Sequence, residues 1–350
     1  MKSAVLLSGG VDSSVALELA HKRGDDITAF YLKIWLEDEL SYLGDCPWEE
    51  DLSYSRAVCD RLDIPLEIVP LQAEYRDRVV SVAIEELRAG RTPSPDIFCN
   101  QRIKFGAFFD RIGDGFDRVI SGHYAQVDRE GESVRLKRSP DQVKDQTYFL
   151  CNLAQDQVAR LDFPIGGMTK SRVRELAEES DLPNKRRKDS QGICFLGKIK
   201  YPEFVKFHLG ERSGDIVDIV SGKVLGKHQG YWFHTIGQRQ GLGLGGGPWY
   251  VVEKDVENNV VFVSDGEEKE KRARASFSLH NPNWIQGLPE TNRLKVKVRH
   301  GPQMSDASVT VADESRTNVL LDQGDPGIAP GQWAVIYDED YCLGGGVIAI

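Results

Sequence analysis

The chain has 350 residues, with 44 Lys and Arg against 54 Asp and Glu, for a formal net charge of −10. It is long enough to bury a large core in two or three domains, and its acidic balance excludes a protein that coats nucleic acid through overall charge, though not one with local basic grooves. No run approaches the ~20 apolar residues of a membrane span, and the six cysteines (46, 59, 99, 151, 194, 342) contain no Cys-x-x-Cys pair, which excludes the usual zinc and thioredoxin-like spacings.

Residue 1 leads straight into the apolar run Ala4-Val5-Leu6-Leu7, so no signal or transit peptide is expected, and most thiols should be free in a reducing cytoplasm. The run reads as a buried strand, and Val15 to Arg23, with Val15, Ala16, Leu19 and Ala20 on one face, as a helix. Between them stands Ser8-Gly9-Gly10-Val11-Asp12-Ser13-Ser14. A strand, a tight Gly-Gly turn and a helix N-terminus form an anion site, because amides without helical partners converge there and the helix dipole adds partial positive charge. No Lys-Ser/Thr pair follows the glycines and no third glycine is present, so this is neither a Walker A loop nor a dinucleotide fingerprint. The bland alternative is a serine-capped turn with no ligand.

Ile27 to Leu32 reads as a second buried strand, residues 37–51 as an acidic loop, Ser53 to Leu62 as helix, Leu66 to Val69 as strand, and Glu74 to Ala89 as a long helix stopped at Gly90. In Thr92-Pro93-Ser94-Pro95-Asp96-Ile97-Phe98-Cys99-Asn100 two prolines argue against helix and place an acid three residues before a thiol on a stiff loop. By itself this is a connector with a packed cysteine. Arg118 to Ser121 is another short strand. Strands alternating with helices predict a parallel, doubly wound sheet with ligands beyond the carboxyl ends of its strands, and Gln126 to Arg138 a hairpin appended to that sheet.

Thr169 caps a helix running to about Ser180, which Pro183 ends. Asn184-Lys185-Arg186-Arg187-Lys188 is the most basic run, and Lys188-Asp189-Ser190-Gln191-Gly192-Ile193-Cys194-Phe195-Leu196 sets a thiol directly after it. Nearby cations favour the thiolate, the form that attacks and carries sulfur. Residues 198–268 are glycine-rich with short β-prone pieces, Trp249 to Glu253 and Val260 to Ser264 among them. Leu294 to Arg299, Ser308 to Val311, Asn318 to Leu321, Gln332 to Tyr337 and Val347 to Ile350 are short strands spaced as in a β-barrel. The expected organisation is therefore a nucleotide-binding catalytic domain over 1–197, a small mostly β domain over 198–270 and a C-terminal barrel over 271–350.

The heptad at the first strand resembles the pyrophosphate loop of the N-type ATP pyrophosphatases, which cut ATP between the α and β phosphates. Taken with Thr-Pro-x-Pro-Asp-x-x-Cys-Asn and Gly-Ile-Cys-Phe in that order, the chain resembles the tRNA-specific 2-thiouridylases. The likeness continues through Gly122-His123-Tyr124-Ala125, Lys144-Asp145-Gln146, His234 to Gly241 and Gly344-Gly345-Gly346. These enzymes replace the C2 oxygen of the wobble uridine with sulfur. The resemblance implies ATP phosphates at Leu6, Leu7, Ser8, Gly9, Gly10, Val11, Asp12 and Ser13, with Leu32 and Gly122 bordering the nucleotide and Asp12 a ligand for Mg²⁺. It implies that Ser94, Pro95 and Asp96 face a flipped target base and that Asp96 is the acid/base. Cys194 would carry a persulfide from a donor protein, and Cys99 would be its partner nucleophile. His123, Lys144, Asp145, Gln146, Arg299, His300 and Gln332 would touch tRNA. Leu32, Ser94 and His300 depart from the usual methionine, asparagine and tyrosine.

Two phosphate-binding patches are expected. One is Lys170, Arg172, Arg174 and Lys185 to Lys188; the other is Arg293, Lys295, Lys297 and Arg299, for which an exposed strand of alternating charge is an equal alternative. Competing readings are a ligase of the same loop class that adenylates a small molecule, which leaves both thiols and the basic run without roles, and a nucleotide- or RNA-binding module without turnover, which predicts ATP binding with no pyrophosphate release.

Overall fold

The computed structural model describes residues 1–34, 48–131, 133–188 and 200–350. A parallel sheet of five strands, in the order β3-β2-β1-β4-β7, is built from β1 (Lys2–Leu6), β2 (Asp26–Lys33), β3 (Leu66–Pro70), β4 (Arg118–Ile120) and β7 (Leu161–Asp162). The pleat explains why β1 reads as continuously apolar. Ala4 and Leu6 enter one core with Phe30, Tyr75, Ile103 and Phe105, while Val5 and Leu7 enter the opposite one with Val15, Ala16, Val58 and Val173. Helix α1 (Val11–Lys22), α2 (Trp48–Leu62) and the helical stretch α3 (residues 72–88) follow β1, β2 and β3. Strand order reverses between β1 and β4, and a doubly wound sheet binds its ligands at that switch point.

Four boundaries differ from those expected. Helix α1 begins at Val11, so Asp12, Ser13 and Ser14 lie in its first turn. Trp48 to Asp51, assigned to the acidic loop, open α2; the rest of that loop up to Pro47 lies outside the described residues. The proline-rich segment is helical from Pro95, at the head of α4 (residues 95–112), which continues through a π-helical stretch over Cys99–Ala107. Proline is tolerated at a helix start because its missing N–H has no partner there in any case. The hairpin of β5 (Ala125–Glu130) and β6 (Ser133–Arg138) joins the barrel rather than the parallel sheet, pairing Lys137 with Tyr341 and Leu136 with Cys342.

Helix α5 (Gln155–Ala159) leads into β7, and α6 (Lys170–Glu179) starts where expected, Thr169 Oγ1 accepting the Arg172 amide. After α7 (Tyr201–Leu209) comes a four-stranded sheet, β10-β11-β8-β9, of β8 (Gly214–Asp218), β9 (Val224–His228), β10 (Tyr250–Asp255) and β11 (Val260–Ser264). The short helix α8 (Gly266–Lys271) precedes a closed barrel. Its strands are β12 (Arg274–Trp284), β13 (Arg293–Lys297), β14 (Ser305–Asp313), β15 (Arg316–Asp325), β16 (Trp333–Asp338) and β17 (Tyr341–Ala349), and pairing of β12 with β17 closes it. Strand β12 was not foreseen; its pairing is irregular at Asn281-Pro282-Asn283, with Asn281 at φ +46°. Among the described residues no helix is long and apolar enough to cross a membrane.

Candidate active site

The turn after β1 is shaped for close approach. Gly9 sits at φ +71°, and a Cβ there would also collide with the Asp51 carbonyl. Gly10 caps α1 with extended backbone and no side-chain acceptor, so the first amides of the helix keep their hydrogen-bonding capacity for a ligand. Ser13 and Ser14 instead donate to the Gly10 carbonyl, each at 3.0 Å. Gly122, just after β4, presses on this turn: a Cβ would lie 2.6 Å from the Ser13 amide nitrogen and 2.8 Å from the Asp12 carbonyl carbon.

Asp12 is not an open carboxylate. Lys170 Nζ donates to its Oδ1 at 2.7 Å and Oδ2 at 2.9 Å, and the Tyr124 hydroxyl donates to Oδ1 at 2.9 Å. No cluster of three or more His, Cys, Asp or Glu side chains among the described residues could hold a metal. The uncapped amides and the Gly9 and Gly122 cradle therefore suit ATP phosphates, whereas Asp12 does not fit the role of a free Mg²⁺ ligand. Leu32, at the end of β2, is half-buried.

The basic run turns inward on this loop. Asn184 Nδ2 donates to the Gly9 carbonyl at 2.7 Å and to Ser14 Oγ at 2.9 Å, while Arg187 bonds the same carbonyl at 2.9 Å and pairs with Asp51. Lys185 pairs with Glu178 and Asp181, Arg172 with Glu175 and Glu179, and Arg174 reaches the Lys185 and Arg187 carbonyls. Only Arg186 and Lys188 of the run are exposed. Arg172 is exposed as well, and Arg186 lies 4.0 Å from Glu178.

Helix α4 puts Asp96 and Cys99 three residues apart on one face. Asp96 is half-buried and Cys99 is 1% exposed. The approach to them is fixed at both flanks: the Thr92 amide donates to the Pro330 carbonyl at 2.9 Å, its hydroxyl meets that of Thr235 at 3.3 Å, and Gly331 has backbone of Thr92 where a Cβ would stand. Ser94 and Pro95 lie between these anchors and Asp96. Asn100 follows with Nδ2 donating to the Phe149 carbonyl at 3.1 Å. Cys194 and its whole motif, Asp189 to Leu196, lie outside the described residues.

The expected RNA contacts divide. Arg299 and His300 are exposed, Arg299 paired with Asp325 and His300 stacked on Phe149 with ring centroids 4.6 Å apart. Lys144 and Gln332 are half-buried. His123 is not on the surface: it packs between Phe105 and Phe163, shares a 2.7 Å bond with Ser121 Oγ, and burial with Lys104 nearby holds its imidazole neutral. Asp145 is internal too, accepting from Lys297 Nζ at 2.9 Å with both side chains 0% exposed. Gln146 Oε1 takes the Tyr124 amide at 2.9 Å. His123 and Asp145 are thus buried and Gln146 half-buried. Of the second patch one member is internal and three carry acidic partners. Lys297 is buried, and Arg293, Lys295 and Arg299 pair with Asp322, Asp306 and Asp325.

Lys170, Tyr124 and Lys297 are the residues whose part sequence reasoning missed. Tyr124 stood within a flagged motif and Lys170 within a flagged patch, but neither signal names Asp12 as the partner.

Residues 1–198 match the family described as tRNA methyl transferase HUP domain, 202–265 the tRNA methyl transferase PRC-barrel domain, and 274–348 the aminomethyltransferase beta-barrel domain. The tRNA-specific 2-thiouridylase MnmA of Parabacteroides distasonis is 45% identical over 356 residues, covering 99% of this chain and 99% of that protein. The tRNA-specific 2-thiouridylase MnmA 2 of Bacteroides fragilis is 45% identical over 355 residues, covering 99% and 100%, and the Porphyromonas gingivalis protein of that name is 43% identical over 359 residues, covering 99% of each. Solved structures are more distant: a 4-thiouridine synthetase–RNA complex with bound ATP is 18% identical, covers 59% of this chain and 50% of that one, and has a TM-score of 0.34.

Proposed function

This chain belongs to the tRNA-specific 2-thiouridylase family, and from that premise we propose that it replaces the C2 oxygen of the wobble uridine of tRNA with sulfur, at the cost of ATP cleaved to AMP and pyrophosphate. Two of the matching family descriptions speak of methyl transfer, but a phosphate loop and two motif-borne thiols have no task in that chemistry. The observation that carries the reading is the turn after β1, where uncapped amides and two glycines pressed against backbone leave a seat for phosphate beside the Lys170–Asp12–Tyr124 group.

The chemistry requires such a seat because a uracil C2 carbonyl is a poor electrophile and oxide does not leave. Transfer of AMP to that oxygen makes a leaving group. Leu6 to Ser13 would hold the phosphates, with Lys170 as the cation nearest them, and Leu32 and Gly122 would border the nucleotide. A base inside the anticodon stack is out of reach, so the target must be extruded, with Ser94, Pro95 and Asp96 facing it and Asp96 moving the proton. A persulfide on Cys194, loaded by a donor protein, forms the C–S bond as the C–O bond to AMP breaks. Cys99 then either attacks the inner sulfur, leaving thiouridine and a Cys99–Cys194 disulfide that takes two electrons to reset, or acts earlier to release sulfide that attacks in its place. Magnesium belongs with the departing pyrophosphate, although Asp12 as it stands is taken by Lys170. We assign residues 1–197, 198–270 and 271–350 to catalytic, central and barrel units, and a tRNA substrate places the reaction in the cytoplasm.

The test is whether pyrophosphate appears from ATP only when unmodified tRNA is present. Cys194→Ser should then form adenylated tRNA yet no 2-thiouridine even with a persulfide donor. Normal thiolation by that variant would overturn the assignment, and tRNA-independent pyrophosphate release would favour a small-molecule ligase.

A further inference from the structure

The segment 139–147, between β6 and the helical turn Thr147–Leu150, carries bonds both to the barrel and to the group beside the phosphate loop, which the β5–β6 hairpin also connects. At one end is the barrel. Asp145 Oδ2 accepts from Lys297 Nζ at 2.9 Å and from Arg138 Nε at 3.3 Å, its Oδ1 takes the Thr147 hydroxyl at 2.9 Å, and that hydroxyl meets Tyr337 OH at 3.2 Å. The Asp145 carbonyl lies 3.2 Å from His300 Nε2. At the other end is the phosphate loop. Asp141 Oδ2 accepts the Lys170 amide at 3.0 Å, and the Gln146 side chain and amide bond the Tyr124 amide and carbonyl at 2.9 Å each. Lys170 and Tyr124 are the two residues that hold Asp12. Asp141 also ties the segment to itself, its Oδ1 accepting the Val143 and Lys144 amides at 3.2 Å each, so the two ends are braced as one piece. The tip between them faces outward, with Val143 70% exposed.

We propose that residues 139–147 are a positioning strap for the phosphate loop: Asp141 and Gln146 set Lys170 and Tyr124 and through them Asp12, and the strap's bonds to Tyr337, Lys297 and His300 make that setting depend on what the barrel face and the tip are touching. This rests on the reading of the loop as the ATP site. Its consequence is that RNA seated against His300 and the tip presses on the same rigid piece that orients the Asp12 group. A buried network on the barrel side and a part-buried one on the loop side share one short segment, which supplies the physical continuity such coupling needs. Asp141 touches neither nucleotide nor base and is a positioning residue.

The experiment is ATP binding to the full-length protein with and without tRNA, by equilibrium dialysis, alongside thermal melting. Asp141→Ala should weaken ATP binding about tenfold, the equivalent of ~1.4 kcal/mol, with Asp141→Asn intermediate because it keeps an acceptor oxygen. Tyr124→Phe, which deletes one hydroxyl, tests the same end if Asp141→Ala does not fold. Thr147→Val, at the barrel end, should weaken ATP binding about threefold and reduce the gain in ATP affinity that tRNA gives the parent. In a double-mutant cycle, the fold-changes of Asp141→Ala and Thr147→Val should fail to multiply, by at least about twofold. Lower melting temperatures with unchanged ATP affinity in all of these variants would mean a merely structural strap and overturn the proposal. Gly122→Ala separates the two levels: normal ATP binding by that protein removes the turn after β1 as the ATP site, whereas lost binding there with normal binding in the strap variants refutes only the strap.

Discussion

Replacing Lys297 by methionine should be among the most damaging single changes outside the active site. Its ammonium and the Asp145 carboxylate are both fully buried, 2.9 Å apart, where barrel strand β13 meets the strap. Methionine keeps most of the lysine's volume, so no large cavity opens, but Asp145 is left as a buried charge without its main counter-ion. Removing one member of such a pair typically costs 3–5 kcal/mol. Asp145 would retain Arg138 Nε, the Thr147 hydroxyl and the Ser139 amide, which argues for the lower end, about 3 kcal/mol. At roughly 2–4 °C per kcal/mol the melting temperature should fall by ~6–12 °C. Calorimetry and urea titration read both numbers. The double variant Lys297→Met, Asp145→Leu removes both charges and should recover at least half of the loss. A single-variant loss below about 1 kcal/mol, or a double variant no better than the single one, would refute the argument that the charge left behind is the main cost.

Gly122→Ala should cut ATP affinity at least ~10-fold, since its methyl meets backbone of Ser13 and Asp12 that cannot rotate away; ATP titration of the purified variant decides, and an unchanged affinity would mean the turn yields. His234 is pushed down to about 4, chiefly by burial and then by His228 and Lys254. Its contribution should be intact above the unfolded value near 6.5 and decline from there to about pH 4, where the unfolded chain takes a proton the folded one refuses, by up to ~1.4 kcal/mol per pH unit. Urea midpoints between pH 7 and 4.5 should therefore fall less steeply for His234→Gln than for the parent; parallel curves would contradict this. Arg186→Ala with Lys188→Ala should weaken tRNA binding and flatten its salt dependence by roughly one unit of slope for each phosphate no longer neutralised, whereas Arg187→Ala should instead disturb ATP binding, because Arg187 holds the Gly9 carbonyl. Equal salt slopes for parent and double variant would remove Arg186 and Lys188 from the RNA interface.

What could be read from the chain was what depends on neighbours in sequence. The strand, glycine turn and helix of residues 2–22 carry their own logic of pleat, positive φ and uncapped amides. So did the cap at Thr169 and the spacing of the barrel strands. Most of the differences share one cause, a partner distant in sequence; Pro95 is the exception, because proline suits a first helical position by a purely local rule. Lys297 looked like one cation of an exposed alternating row, and only the strap lying over β13 makes it internal. Arg187 and Lys185 looked like free charge for phosphate until the fold supplied Asp51, Glu178 and Asp181. For His123 and Asp145 the resemblance named tRNA as a partner but gave no sign of the burial their other partners impose.

The hairpin of β5 and β6 has a bearing on how the chain is made. Its outer edge finds its partner only at Tyr341 and Cys342, about 200 residues later, and a ribosome adding ~5–20 residues per second needs ~10–40 s to reach them. Throughout that interval β6 presents unpaired backbone of the kind that recruits strands from other nascent chains. Its sequence, Ser133-Val134-Arg135-Leu136-Lys137-Arg138, sets three cations along that edge. In the finished protein they are absorbed by Asp128, Glu130, Asp145, Asp340 and the Tyr341 ring, several of which have yet to be synthesised while the edge stands open. The same charges that later knit the hairpin to the barrel thus act first as a guard against premature pairing between neighbours on a polysome.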